Sequence, residues 1–144
     1  MNTYDNRARL VLHFAREEAQ TLGHLAVEPE HLLLGLLREG GTASRLLIDI
    51  GVTLDEARRI TGELAQTNPR KRARSLQITP EAAQVMRVAG LEAERLGSKS
   101  IHTEHMLLAV LGKDNGGSAQ VLAKLTRPEM IRHILDAARS SQAA

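Results

Sequence analysis

The chain contains the same segment twice, and this internal repeat constrains its fold more than any other feature of the sequence. Residues 18–37 and 92–111 align without gaps and share nine identities in 20 positions. From about ten residues upstream of each segment into its first turn, apolar residues recur at intervals of three and four, which is the period of one face of a helix. They are Ala8, Val11, Ala15, Ala19 and Leu22 in the first copy and Ala82, Val85, Ala89, Ala93 and Leu96 in the second. Each copy is therefore predicted to begin with an amphipathic helix that buries the same face.

Helix-start and helix-stop signals divide the rest of each copy into three shorter helices. Glycines that can close a last helical turn follow the apolar runs at Gly23, Gly40, Gly51, Gly97 and Gly112. Capping-box spacing or a proline suited to the first helical position occurs at Thr53–Glu56, Thr79–Pro80 and Pro29. No strand is needed to explain this pattern. The second copy is predicted to carry one inserted residue near Asn115.

The repeat predicts an all-α fold in which two tandem four-helix units pack as one pseudo-twofold, eight-helix domain over residues 1–144. Repeat one is placed at about 3–65, a basic linker at about 66–78 and repeat two at about 79–142. A unit of roughly 70 residues is marginally stable alone, so the two are expected to share a core. Aromatic residues make up only 1% of the chain, so that core must be aliphatic.

The composition argues against several classes of function. The chain has no cysteine, which excludes a disulfide framework, a thiolate nucleophile and a cysteine-based zinc site. It also lacks the G-x-x-x-x-G-K-[ST] phosphate loop. No apolar run approaches the length of a membrane span and the amino terminus lacks a signal-peptide core. We therefore expect a cytoplasmic protein with no membrane partner, no cofactor and no catalytic residue.

The repeated motifs resemble a known family. The stretches "ARLVLHFAREEAQTLGHLAVEPEHLLLGLLREG" and "TPEAAQVMRVAGLEAERLGSKSIHTEHMLLAVL" are similar to the amino-terminal (Clp repeat) domain of Clp-type AAA+ unfoldases, most like the ClpC group. The resemblance covers nearly the whole chain. It implies a binding domain, not an enzyme, whose partners are protein substrates, adaptor proteins and an AAA+ ring in cis or in trans.

The resemblance also implies a ligand. In the ClpC group the glutamate of the Glu-His pair holds the guanidinium of a phosphorylated arginine, and the matching residues here are Glu30 and Glu104. A carboxylate makes strong charge-assisted hydrogen bonds to a guanidinium, and a helix amino terminus favours a phosphoryl group. These glutamates are therefore candidate ligands for phospho-arginine. A purely structural role is also available, because an acidic residue in the first turn of a helix stabilises it.

Of the two candidate pockets, the sequence favours the one at Glu104. Thr79 and Thr103 match the family pattern in repeat two and are assigned to this pocket. In repeat one, Asp5 and Pro29 stand at the corresponding positions, and an extra carboxylate is unfavourable beside a phosphate. Glu81, which follows the Thr-Pro pair, is expected to weaken the Glu104 pocket in the same way.

Histidines and basic residues have structural interpretations as well. His31 and His105 lie beside apolar residues and are expected to pack and hydrogen-bond within their repeats. "HTEH" at 102–105 could bind a metal weakly, but no further ligand is evident and no metal site is predicted. The linker contains Arg70, Lys71, Arg72 and Arg74, which could bind an acidic partner. Nucleic acid is unlikely, since no aromatic side chain accompanies them for base stacking.

Two rival functions remain open at this stage. The domain could present an apolar groove that binds unfolded segments irrespective of phosphorylation. Alternatively, it could be a free-standing regulatory subunit that docks on a Clp ring or peptidase.

Overall fold

The computed structural model describes residues 3–65, 76–112 and 116–143, and these form eight helices. Those of the first repeat are α1 (Asn6–Thr21), α2 (Pro29–Glu39), α3 (Thr42–Asp49) and α4 (Leu54–Ala65). Those of the second are α5 (Pro80–Arg95), α6 (Thr103–Val110), α7 (Gly116–Leu125) and α8 (Pro128–Ala143). The all-α, eight-helix prediction is confirmed.

The helix starts of the two repeats are separated by a constant number of residues. Each helix of repeat two begins 74 residues after its counterpart, including the third pair at Thr42 and Gly116 and the fourth at Leu54 and Pro128. The predicted insertion near Asn115 is therefore wrong. The repeats differ instead in how far individual helices extend: α7 has 10 residues, whereas its counterpart α3 has 8.

Helix starts follow the predicted capping chemistry. Asp5 and Thr79 are the N-cap residues of α1 and α5, and their side chains accept hydrogen bonds from the backbone N–H groups of Ala8 and Ala82. Each supplies one acceptor to the unpaired donors of a first helical turn. Pro29 begins α2 as expected.

Four two-residue strands, absent from the sequence prediction, join the repeats. β1 (Thr3–Tyr4) pairs in parallel with β4 (Ser100–Ile101), and β2 (Ala26–Val27) pairs in parallel with β3 (Gln77–Ile78). Strands of two residues leave no periodic signal, so helix patterning alone could not reveal them. Each pair therefore places the start of the first helix of one repeat beside the start of the second helix of the other repeat.

A single apolar core runs through both repeats. Every residue of the predicted stripes is buried except Leu22 and Leu96, which are partly buried. The central helices α2 and α6 contact each other as well as their own first helices. The expectation of a shared core is confirmed, and it explains why neither half needs a self-sufficient interior.

A charged cluster ties three helices of repeat one together. Glu18 of α1, which is only 4% exposed, accepts hydrogen bonds from Arg58 Nε and Nη2 at 2.7 and 2.8 Å and from Arg38 Nη1 at 3.3 Å. The Arg38 guanidinium also lies over the ring of Phe14, 4.2 Å from its centroid. The bidentate contact of Arg58 orients α4 on α1, and the single hydrogen bond of Arg38 adds a contact from α2.

Two further sequence predictions concern the basic linker and membrane-spanning helices. The four basic residues of the linker, Arg70, Lys71, Arg72 and Arg74, lie outside the described residues. Within the described ranges, none of the helices combines the length and the apolar character that crossing a membrane requires.

Candidate functional site

A cavity lies where the start of α1 meets the start of α6. The β1–β4 pair continues into a hydrogen bond from the Asp5 N–H to the Ile101 carbonyl oxygen at 3.0 Å, so the N-caps of α1 and α6 are neighbours. The cavity beside them has a volume of about 430 Å³. Its walls are formed by Asp5 and Arg7 from α1, by Gly41, Thr42 and Arg45 at α3, and by His102, Thr103 and Glu104 at α6. Glu104 therefore lines a pocket built from both repeats.

The structure separates Thr79 from the Glu104 pocket to which the sequence assigned it. The Thr79 N–H donates to the Val27 carbonyl oxygen at 3.1 Å, and its hydroxyl reaches the same oxygen at 3.3 Å. Thr79 thus lies at the start of α2, near Glu30. The reason is the parallel pairing between repeats, which exchanges the partners that a repeat-by-repeat alignment places together.

This exchange also relocates the two acidic residues weighed in the sequence analysis. Asp5, counted against the Glu30 pocket, belongs to the Glu104 pocket. Glu81 follows Thr79 and Pro80 at the start of α5, on the Glu30 side. Both assignments made from the sequence are wrong for the same topological reason.

Asp5 is already engaged by neighbours within the protein. One carboxylate oxygen accepts the Ala8 N–H at 2.8 Å, and the other lies 2.5 Å from His102 Nδ1. Because an aspartate carboxylate only accepts, His102 Nδ1 must carry the proton in this contact. The start of α1 is therefore capped from within, and it is not the part of the pocket that can receive an anion.

The opposite wall of the pocket supplies positive charge. α3 starts at Thr42, and its N-cap residue, Gly41, has no side chain to cap it. The Gly41 N–H donates at 3.0 Å to the carboxylate of Glu39, whose side chain is buried. One turn further on, Arg45 is exposed, and among the described residues its guanidinium has no hydrogen-bond or ion-pair partner. Arg7 also lines the wall but is held by Glu39, at 2.7 Å.

Glu104 and Thr103 form the acidic wall. The buried Thr103 hydroxyl donates to Glu104 Oε1 at 3.0 Å, which orients the carboxylate at the first turn of α6. The pocket thus combines a carboxylate on α6 with an arginine on α3. Such a site can bind a ligand that carries a cationic and an anionic group close together.

Glu30, the equivalent of Glu104, is in a different environment. Its Oε1 is buried and has no hydrogen-bond partner among the described residues. Burial raises the pKa of this carboxyl above its usual value. The carboxylate lies directly against Gly117 at the start of α7, so closely that a Cβ atom there would collide with it.

The arginines of the Glu104 pocket have no counterparts on the Glu30 side. At the spacing of 74 residues, Arg45 corresponds to Ala119 and Arg7 to Glu81. Sequence reasoning missed both arginines because it followed the family's glutamate and threonine positions. A comparison of α3 with α7 at the constant spacing would have identified them.

His31 and His105 are structural, as predicted. Both are fully buried, and the Nδ1 of each accepts the backbone N–H of its helix's N-cap residue, Glu28 at 2.8 Å and His102 at 2.9 Å. Nε2 must then carry the proton of each neutral ring, and in His31 it points at His24 Nδ1, 2.6 Å away. Burial and the neighbouring His24 ring lower the pKa of His31 to about 3, and burial lowers that of His105.

The described residues contain no group of three or more histidine, aspartate or glutamate side chains arranged to hold a metal ion. The histidine pair of the "HTEH" segment is accounted for by its contacts to Asp5 and to the backbone.

The comparisons with known proteins agree with this architecture. The Clp repeat (R) N-terminal domain family matches residues 3–125. The chain belongs to this family of Clp repeat domains.

Curated relatives include three Clp proteins from bacteria and plants. The chain is 35% identical over 123 residues to ClpC/MecB of Bacillus subtilis strain 168, the negative regulator of genetic competence, and covers 15% of its length. Over the same 123 residues it is 35% identical to the chaperone protein ClpB of Oceanobacillus iheyensis, also covering 15% of that protein. It is 34% identical over 144 residues to the chloroplastic chaperone protein ClpC of Pisum sativum, covering 16%. These matches span 85%, 85% and 95% of the chain, which is therefore about one-sixth as long as its curated relatives.

Solved structures show the same fold. The N-terminal domain of ClpD from Arabidopsis thaliana superposes with a TM-score of 0.78 at 25% identity, covering 98% of this chain and 97% of that domain. A ClpV N-domain solved with a VipB peptide has a TM-score of 0.66 at 20% identity and covers 99% of this chain and 89% of that one.

Proposed function

We propose that this domain recognises protein substrates and adaptors for an ATP-dependent Clp unfoldase, and that its Glu104 pocket binds phosphorylated arginine. Membership of the Clp repeat family supports the first part. A Clp-type N-domain of the same fold has been solved with a bound peptide, which supports proteins as partners. The ATPase ring would lie elsewhere, since the chain corresponds to a small part of its curated relatives.

The observation that carries the ligand proposal is the charge arrangement of the pocket. Glu104 can accept two parallel hydrogen bonds from a guanidinium, a geometry that favours arginine over lysine. The exposed guanidinium of Arg45 can bind the phosphoryl group. A phosphorylated arginine carries these two groups on adjacent atoms, and the cavity of about 430 Å³ is large enough for one side chain.

The residues also define which end of the ligand lies where. Asp5 occupies the start of α1 with its carboxylate and Glu39 lies at the N-cap of α3, so a phosphoryl group is repelled from both helix starts and is directed to the Arg45 guanidinium. The guanidinium lies on the side of Glu104 and Asp5. Arg45 is thus assigned as the anion-binding residue of this chain, with Thr103 positioning Glu104 and Thr42 at the first turn of α3.

Isothermal titration with phospho-arginine tests the proposal, with free arginine and inorganic phosphate as control ligands. We expect binding to wild type and at least a tenfold weaker affinity for Glu104→Gln and for Arg45→Gln, since each removes a charge-assisted contact. Arg59→Gln is the matched control, because Arg59 is an exposed arginine paired on its own helix with Glu56 and Glu63. It should bind like wild type.

The opposite outcome is equally clear. If millimolar phospho-arginine produces no heat and no shift in melting temperature, the ligand proposal is wrong. Binding of an unmodified unfolded peptide that survives both pocket substitutions would then favour the apolar-groove alternative.

A further inference from the structure

The pseudo-twofold repeat suggests two equivalent ligand pockets, but one position makes them different. Position 117 in α7 is glycine, and its counterpart in α3 is Ala43. Ala43 is fully buried, so its methyl group fills the space beside α6. In repeat two no methyl group is present at this position, and the Glu30 carboxylate of α2 lies against Gly117 instead.

We propose that this domain offers one ligand pocket and not two, because the Glu30 carboxylate is held against Gly117 and is withdrawn from ligand binding. The ligand is phosphorylated arginine, so this part of the inference rests on the function proposed above. The closed state of Glu30 does not depend on that function and can be tested without any ligand.

Three features of the structure point to this closed state. Glu30 Oε1 is buried and has no hydrogen-bond partner among the described residues, whereas Glu104 lines the cavity and Thr103 donates to it. No side chain larger than hydrogen fits at Gly117 while Glu30 keeps its position. Repeat two also places Ala119 where the Glu104 pocket has Arg45, so no arginine stands at the equivalent described position on the Glu30 side.

One contribution favours the charged carboxylate in this position, although burial outweighs it and raises the pKa of the Glu30 carboxyl. It lies at the amino-terminal turn of α7, where the helix dipole favours negative charge. A guanidinium that approached Glu30 would have to draw the carboxylate away from α7 before binding it. Glu104 instead lines the cavity, where the Thr103 hydroxyl donates to its carboxylate.

A double-mutant cycle tests the closed contact. In wild type, Gly117→Ala should lower the melting temperature modestly, because the new methyl group displaces the Glu30 carboxylate, which is the flexible end of its side chain. In a Glu30→Ala background the same substitution should leave the melting temperature unchanged or raise it, since alanine is the better helix former. The control cycle, Gly117→Ala with Glu104→Ala, should be additive, because Glu104 lines the cavity beside α3 and Gly117 packs against Glu30. Additive effects of Gly117→Ala and Glu30→Ala would overturn the proposal.

Titration with a phospho-arginine peptide tests the consequence. We expect a stoichiometry near one per domain, loss of binding in Glu104→Gln and unchanged binding in Glu30→Gln. A stoichiometry near two that falls to one in Glu30→Gln overturns the single-pocket proposal. If no variant binds but the Gly117–Glu30 cycle shows coupling, the closed carboxylate stands and only the proposed function fails.

Discussion

Gly35 is the position where substitution should separate packing from helix propensity most sharply. It lies inside α2, where a Cβ atom would penetrate the carbonyl oxygen of Val11 on α1 and lie 3.2 Å from the Ala15 amide nitrogen. Gly35→Ala should therefore destabilise the protein, although replacing glycine by alanine inside a helix ordinarily stabilises it by about 1 kcal/mol.

The magnitude follows from the opposing contributions. Neither clashing atom is the end of a flexible side chain, so α2 must move away from α1 by roughly 1 Å, a gap that forfeits a quarter to a half of the dispersion energy at the contact. Overpacking of a close helix interface costs up to about 3 kcal/mol. After subtraction of the propensity gain, the net loss is about 2 kcal/mol, or a melting temperature about 8 °C lower for a domain of this size.

The assay is thermal and urea unfolding of Gly35→Ala beside Gly90→Ala. Gly90 is also inside a helix, α5, but the nearest atom to an added Cβ is Ile101 Cδ1 at 3.7 Å, an ordinary contact. Gly90→Ala should raise the free energy of unfolding by up to about 1 kcal/mol. If Gly35→Ala also stabilises the protein, α1 and α2 are not as close as described and the steric reasoning is refuted.

Further predictions concern buried charge and acid stability. Glu18→Gln should lower the free energy of unfolding by about 1–2 kcal/mol, because it removes the ionic partner of Arg58 from a buried position; Glu92→Gln, at the repeat-equivalent site, should cost less in the same urea titration, since its partner is an exposed neighbour on its own helix. Between pH 6.5 and about 3 the unfolded chain binds a proton at His31 that the folded protein excludes. Stability should therefore fall on acidification by up to about 1.4 kcal/mol per pH unit, and urea unfolding across this range should show a shallower slope for His31→Gln. An unchanged slope would mean that His31 is protonated in the folded protein.

Much of the fold could be read from residue spacing. The stripe that begins at Ala8 and Ala82, the proline at Pro29 and the caps at Asp5 and Thr79 are local signals, because amphipathic period and capping depend on neighbours in the chain. The structural role of His31 and His105 was also predictable from their apolar surroundings. The Glu-His pair predicted Glu30 and Glu104 as ligand-binding residues, and this role stays a prediction.

The composition of each pocket could not be read in this way. The pairing of β1 with β4 and of β2 with β3 places Asp5 with Glu104 and Thr79 near Glu30, and two-residue strands leave no periodic trace in a sequence. Arg45 joined the site only when α3 and α6 were packed together.

The sequence by itself therefore determined the repeat and the family, which are patterns of residue identity. It also determined the helices and their buried faces, which depend on residues within about one helical turn. Tertiary structure alone decided which halves of the two repeats meet, and which residues surround each glutamate. The physical reason is that these outcomes depend on contacts between residues far apart in the chain. The Glu30 carboxylate, for example, packs against Gly117 of α7, whereas Glu104 lines a cavity beside α3, which has Ala43 at the equivalent position.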